Sequence, residues 1–90
     1  MEIRNISDFR RAMRNGHRSW PGCYPLYFLT DDGQALSFAA ARAERRNILQ
    51  AIAWRDRMSG WCVVGVDVNW EDGELVCAHS GERIPSAYAD

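Results

Sequence analysis

The stretch Trp61-Cys62-Val63-Val64-Gly65-Val66-Asp67-Val68-Asn69-Trp70 decides the fold. In its second half the apolar residues Val64, Val66, Val68 and Trp70 alternate with Gly65, Asp67 and Asn69, the period of a strand with one face in the core and one in water. Glu71-Asp72-Gly73 follows, a connection of hairpin length with Gly where a positive φ is usually needed. Glu74-Leu75-Val76-Cys77-Ala78-His79 then reads as a second strand, and the pair 61–70 and 74–79 is expected to run antiparallel. Ser80-Gly81 turns the chain again, and Glu82 to Tyr88 is short and interrupted by Pro85, which suits an edge strand or a docking tail.

Upstream, Ser37 opens the longest segment without Pro or Gly, running to about Arg57. Phe38, Ala41, Ile48, Leu49, Ile52 and Ala53 form one apolar sector of about 140° on a helical wheel. Arg45 points into the middle of that sector. Two readings stay open for it: its stem lies on apolar surface with the head at the edge, or it is buried against a carboxylate. Arg42, Arg46, Arg55 and Arg57 charge the rest of the helix. Before it, Tyr24-Pro25-Leu26-Tyr27-Phe28-Leu29-Thr30 is aromatic and β-rich and closes on Asp31-Asp32-Gly33, a strand ending in a turn. Residues 17–23, with Pro21 beside Gly22, read as a loop. Ser7 or Asp8 is suited to cap a short helix over Phe9–Asn15, with Gly16 as its stop. The expectation is an α+β protein: a small, mostly antiparallel three-stranded sheet with one long helix on one face and a short N-terminal helix.

Ninety residues suit a single domain with one modest core, and 47% hydrophobic with 26% charged residues is ordinary for a folded chain. No apolar run is long enough to span a bilayer and the N-terminus has no signal-like apolar segment, so a cytoplasmic address and no membrane contact are expected. Cys23, Cys62 and Cys77 are an odd set without framework spacing, which favours reduced thiols. The net charge of −1 hides an asymmetry: residues 1–57 carry ten Arg against six acids, and residues 58–90 one Arg against six acids. All eleven basic residues are Arg. The absence of Lys excludes a Schiff-base enzyme and a Walker-type phosphate loop.

Chemistry is poorly represented. Cys77 and His79 share a strand face, but a structural zinc site wants four ligands. Cys23 and His17 would complete a set only through unusual loop geometry. The acidic stretch around Cys77 and His79 also opposes a thiolate nucleophile, and no nucleophile elbow or metalloprotease helix occurs. An enzyme is not expected, nor a metal or other cofactor. Binding features are better represented. Arg10, Arg11 and Arg14 fall on one side of the short helix, with Arg18 and Trp20 nearby, a mixture that grips phosphate, stacks on bases or anchors protein interfaces. Asp67, Glu71, Asp72 and Glu74 form an opposed acidic group around Trp70, able to imitate phosphates before a basic groove. These ten residues are the candidate partner-binding set.

The segments Gly60–Asp72, Leu75–His79 and Ser80-Gly81-Glu82-Arg83-Ile84-Pro85-Ser86-Ala87-Tyr88, with Tyr27–Gly33 and Ala35–Phe38, resemble a group of short uncharacterised phage and prophage proteins. In that group the part matching Cys77 to Gly81 often reads Cys-X-His-Cys-Gly, half of a zinc knuckle. Here Ser80 stands at the third ligand position. The resemblance implies a mobile-element protein that interferes with a host machine. By analogy of context this is an anti-CRISPR inhibitor that binds a Cas effector or subunit stoichiometrically, as a monomer or homodimer. A phage accessory protein that binds nucleic acid through the Arg-rich N-terminal helix is the alternative.

Overall fold

The computed structural model describes residues 2–18, 24–56 and 59–88. Its elements follow in the order α1 (Ile6–Asn15), β1 (Leu26–Thr30), β2 (Ala35–Leu36), α2 (Phe38–Ala43), α3 (Arg45–Trp54) and β3 (Val63–Val68). The sheet is antiparallel throughout with strand order β2-β1-β3. The α+β class with a small three-stranded sheet is therefore as expected from the sequence.

Helix α1 is capped by Asn5, two residues before Ser7 and three before Asp8, the caps expected from the sequence. Asn5 Oδ1 accepts the Asp8 N–H at 2.9 Å while Asp8 Oδ2 accepts the Arg4 N–H at 3.0 Å, a reciprocal arrangement that satisfies two free amides at once. Gly16 ends the helix at a φ of +88°, open to glycine without strain. Ser37 caps α2 as its sequence position suggests, its Oγ accepting the Ala40 N–H at 3.1 Å.

The single long helix is not formed: the chain breaks at Glu44, whose φ of −109° and ψ of 21° leave the helical range. A straight helix carrying Phe38, Ala41, Ile48 and Ile52 inward would drive Arg45 into the core beside them. With the break, those four stay buried and Arg45 is exposed. Desolvating an unpaired guanidinium costs far more than one irregular residue, so the packing of both halves outweighs helix continuity. Glu44 holds the break with its side chain, accepting from Asn47 Nδ2 at 2.7 Å and facing His79 Nε2 at 3.5 Å.

Pairing differs from expectation as well. Strand β3 pairs with β1, not with residues 74–79, in the register Leu26↔Val68, Tyr27↔Asp67, Phe28↔Val66, Leu29↔Gly65 and Thr30↔Val63. The register shift leaves Val64 as an extra residue, a bulge that turns both Val63 and Val66 into the core and so breaks the alternation read from the sequence. The outer edge of β3 is met by the N-terminal segment, where Ile3 donates to the Val64 carbonyl at 2.9 Å. Asn69 explains why no 61–70/74–79 hairpin forms. Its side chain is 3% exposed, and Nδ2 donates to the carbonyls of Asp72, Pro85 and Ile84 at 3.0, 3.1 and 3.2 Å while Oδ1 accepts the Asp72 N–H at 3.2 Å. That cluster diverts the chain from the sheet. Residues 75–77 pair instead with 82–84, through Ile84 N–H to the Leu75 carbonyl and Cys77 N–H to the Glu82 carbonyl, both at 2.8 Å.

The core lies between one sheet face and the helices. Phe28 is the hub, its ring 5.2 Å from Phe9 of α1 and 4.3 Å from Phe38 of α2, with Ile48, Ile52, Val63, Val66 and Ile84 around them. Each such side chain is worth roughly 1.5–3 kcal/mol on removal from water. Tyr27, next along β1, turns to the other face.

Candidate functional site

Two helical walls converge on the core side of the molecule. From α1 come Phe9, Arg10, Met13 and Arg14, spaced so that residues four apart stack on one face. From α2 and α3 come Arg42, Arg45, Arg46 and Leu49, again at helical intervals. Between them runs an open groove of about 640 Å³. Met13 and Leu49, half-buried, give it an apolar floor, and Phe9, which also lines it, is only 1% exposed.

Charge is what distinguishes this groove. Among the described residues five guanidiniums line it and no carboxylate does. None of the five is in a described ion pair, unlike Arg4, which meets Glu2 at 2.6 Å, and His79, which meets Glu44 at 3.5 Å. Five like charges around a low-dielectric floor focus a positive potential into the groove and repel one another until an anion enters. The arrangement is equipped for bidentate contacts to carboxylate or phosphate.

Of the residues chosen from the sequence, Arg10 and Arg14 reach this groove. Arg11 is exposed on α1 outside it. Arg18 is exposed too, bridges Pro25 through the backbone and lines a separate cavity of about 380 Å³ with His17 and Arg42. Trp20 lies outside the described residues, as does Cys23. Arg45 is neither buried nor paired, which removes the buried-pair alternative. Arg42, Arg45 and Arg46 lie outside the candidate set read from the sequence, where Arg45 falls in the apolar sector and Arg42 and Arg46 on the rest of the helix, and nothing in the sequence says that α1 packs opposite them.

The acidic set occupies the opposite side of the sheet. Asp67 is the register partner of Tyr27, whose side chain turns away from the helices. Burial raises the Tyr27 hydroxyl above its ordinary value, and the neighbouring Asp67 and Asp72 carboxylates raise it further. Asp72 and Glu74 line a cavity of about 440 Å³ with Tyr27 and Leu29, and Glu71 is exposed. Asp72 is partly spent on structure, since its Oδ1 accepts the Glu74 N–H at 2.9 Å. Trp70, 45% exposed, packs between Tyr24 at 4.6 Å and Tyr88 at 6.0 Å.

Cys77 and His79 diverge in role. The Cys77 thiol is buried and accepts the Ser37 N–H at 3.3 Å. Burial pushes it up, but hydrogen bonds from the Ser80 hydroxyl and from the backbone of Ser80, Ser37 and His79 outweigh burial and bring it down to about 7. His79 turns toward Glu44 and the Trp61 ring. Among the described residues no group of three or more His, Cys, Asp or Glu side chains is placed to hold a metal ion. Nor is any described helix long and apolar enough to cross a membrane.

In comparisons with known proteins, no family model, no curated protein and no solved structure matches this chain.

Proposed function

We propose that this chain acts by binding, without chemistry of its own, and that it captures a negatively charged surface of a host protein in the α1/α3 groove. The observation that carries this reading is the set of five unneutralised guanidiniums around one apolar floor. Isolated surface arginines are common, but a groove walled by Arg10, Arg14, Arg42, Arg45 and Arg46 with no carboxylate among its described lining residues is self-repulsive in the free protein. Its charge is relieved by a partner. Arg is also the residue favoured at protein interfaces, where it anchors by bidentate hydrogen bonds and by its apolar stem. The resemblance to short phage and prophage proteins supplies the context: a stoichiometric inhibitor of a host defence complex, with a Cas effector or subunit as the target.

The test is plaquing of a targeted phage on a CRISPR-competent host that expresses the chain. The wild type is expected to restore plaquing and the triple reversal Arg10→Glu/Arg14→Glu/Arg45→Glu to abolish that effect. No rescue by the wild type on hosts of several CRISPR types sinks the inhibitor reading. The alternative is direct contact with nucleic acid, which the guanidiniums alone would favour. It requires retardation of DNA or RNA with an affinity that falls steeply with salt.

A further inference from the structure

The groove carries more information than its charge. Phe9 is buried under it, so among the described residues that line it no aromatic ring offers an open face, and the accessible apolar pair is Met13 and Leu49. Single-stranded nucleic acid is held without sequence preference by phosphate contacts together with aromatic stacking platforms. The described lining of this groove offers no such platform. A dedicated nucleic-acid protein is also commonly strongly basic, whereas this chain carries a net charge of −1. An aliphatic floor between two helical walls instead has the shape of a helix-in-groove site, in which an amphipathic helix lays an apolar stripe at i, i+3, i+4 and i+7 into the cleft. The charges say what flanks that stripe. Arg10 and Arg14 stand on one wall and Arg42, Arg45 and Arg46 on the other, so carboxylates are wanted on both sides of it.

We infer that the groove receives an acidic amphipathic helix of the partner protein, its apolar stripe on Met13 and Leu49 and its Asp and Glu side chains on the two arginine walls. This rests on the reading of the groove as the docking site and names what enters it.

The experiment is fluorescence anisotropy on the intact chain with four labelled probes. The first is a synthetic helical peptide with a leucine stripe flanked by glutamates. The second has the same charge with every leucine changed to alanine, and the others are a single-stranded oligonucleotide and a DNA duplex. The leucine peptide is expected to bind at least about tenfold more tightly than its alanine counterpart, the fold-change set by burying one or two leucines. Arg45→Glu/Arg46→Glu is expected to weaken it by about tenfold or more, and Arg11→Glu, exposed outside the groove, by less than about threefold. Both variants change exposed residues, and the apolar contribution is tested on the peptide, so folding of the protein does not confound either comparison. Equal binding of the two peptides overturns the helix proposal. Tighter binding of an oligonucleotide than of the leucine peptide, lost in the Arg45/Arg46 variant, also overturns it while keeping the groove as the docking site. Binding of no probe even at low salt overturns both the helix and the groove.

Discussion

Ser37 and Cys77, forty residues apart in sequence, meet where the Ser37 N–H donates to Cys77 Sγ at 3.3 Å. Ser37 is also the cap of α2, with its own Oγ on the Ala40 amide, so the start of the helix and the turn at residues 77–81 are fastened at one point. A second tie lies beside it, from the Ala78 N–H to the Ala35 carbonyl of β2 at 2.8 Å. The C-terminal segment, which adds no strand to the sheet, is held against β2 and α2 by these two bonds and by the burial of Cys77 and Ile84.

The contact has a pH signature. Cys77 titrates at about 7 in the folded protein against an ordinary 9.0, so between those values the folded state binds fewer protons than the unfolded state. Stability conferred by the thiolate is therefore complete above about 9, declines as the pH falls toward 7 and is absent below it. Two units correspond to a change on the order of 2 kcal/mol. Urea unfolding followed across that window should show this slope in the wild type and its loss in Cys77→Ser, which retains the other thiols. Parallel pH profiles for the two proteins would mean that the buried sulfur remains a thiol.

Asn69 is the next test of how the C-terminal segment is held. Asn69→Ala takes its donor from the carbonyls of Ile84, Pro85 and Asp72, the last of which keeps the Leu75 N–H at 3.4 Å, and takes the side-chain acceptor from the Asp72 amide, all in a part-buried or buried place. The loss is expected to be about 2–4 kcal/mol, which for a domain of this size lowers Tm by at least about 10 °C. Thermal melts of the variant that fall within a few degrees of the wild type would show that the cluster is replaceable by water.

The contrast between Ser37 and Asn69 marks what was legible in the sequence. Ser37, Gly16 and the Asp31-Asp32-Gly33 turn act through backbone geometry within four residues, and each is where local chemistry puts it. Asn69 acts on carbonyls fifteen and sixteen residues away, and without that knowledge Glu71-Asp72-Gly73 looks like a hairpin turn. The break at Glu44 was foreshadowed by Arg45 in the apolar sector, a local conflict that the tertiary structure resolved by rotating the residue out. Half of the groove was visible, since Arg10 and Arg14 share a face of α1. Its other wall became visible only once α1 and the α2–α3 pair packed on the same side of Phe28.

Arg55 offers a stabilising change. It follows α3 with a φ of +53°, and its N–H bonds the Ile52 carbonyl while the Asp56 N–H reaches the Ala51 carbonyl at 2.9 Å, the Schellman arrangement that favours glycine. A side chain there costs about 1 kcal/mol. Arg55→Gly is expected to raise the urea midpoint by a corresponding amount without changing the slope of the transition. A lower midpoint would mean that the Arg55 side chain makes a contact worth more than the strain.

The crowding of the groove arginines should itself be measurable without any partner. Arg45 lines the groove together with Arg42 and Arg46 of its own wall and Arg10 and Arg14 of α1, with no carboxylate among the described lining residues to offset the repulsion. Arg45→Gln removes one of the five charges, keeps much of the apolar stem and leaves α3 with a good helix former. At low ionic strength the variant is expected to melt at a higher temperature than the wild type. At about 1 M salt the screening length falls to roughly 3 Å, and the two proteins should then melt together. Sulfate should act on the wild type more strongly than chloride at equal ionic strength, because a divalent oxyanion is able to bridge two guanidiniums, and that difference should shrink in the variant. A variant that is less stable than the wild type at low salt would mean that Arg45 has an anionic partner within the chain, and that the groove is neutralised before anything docks.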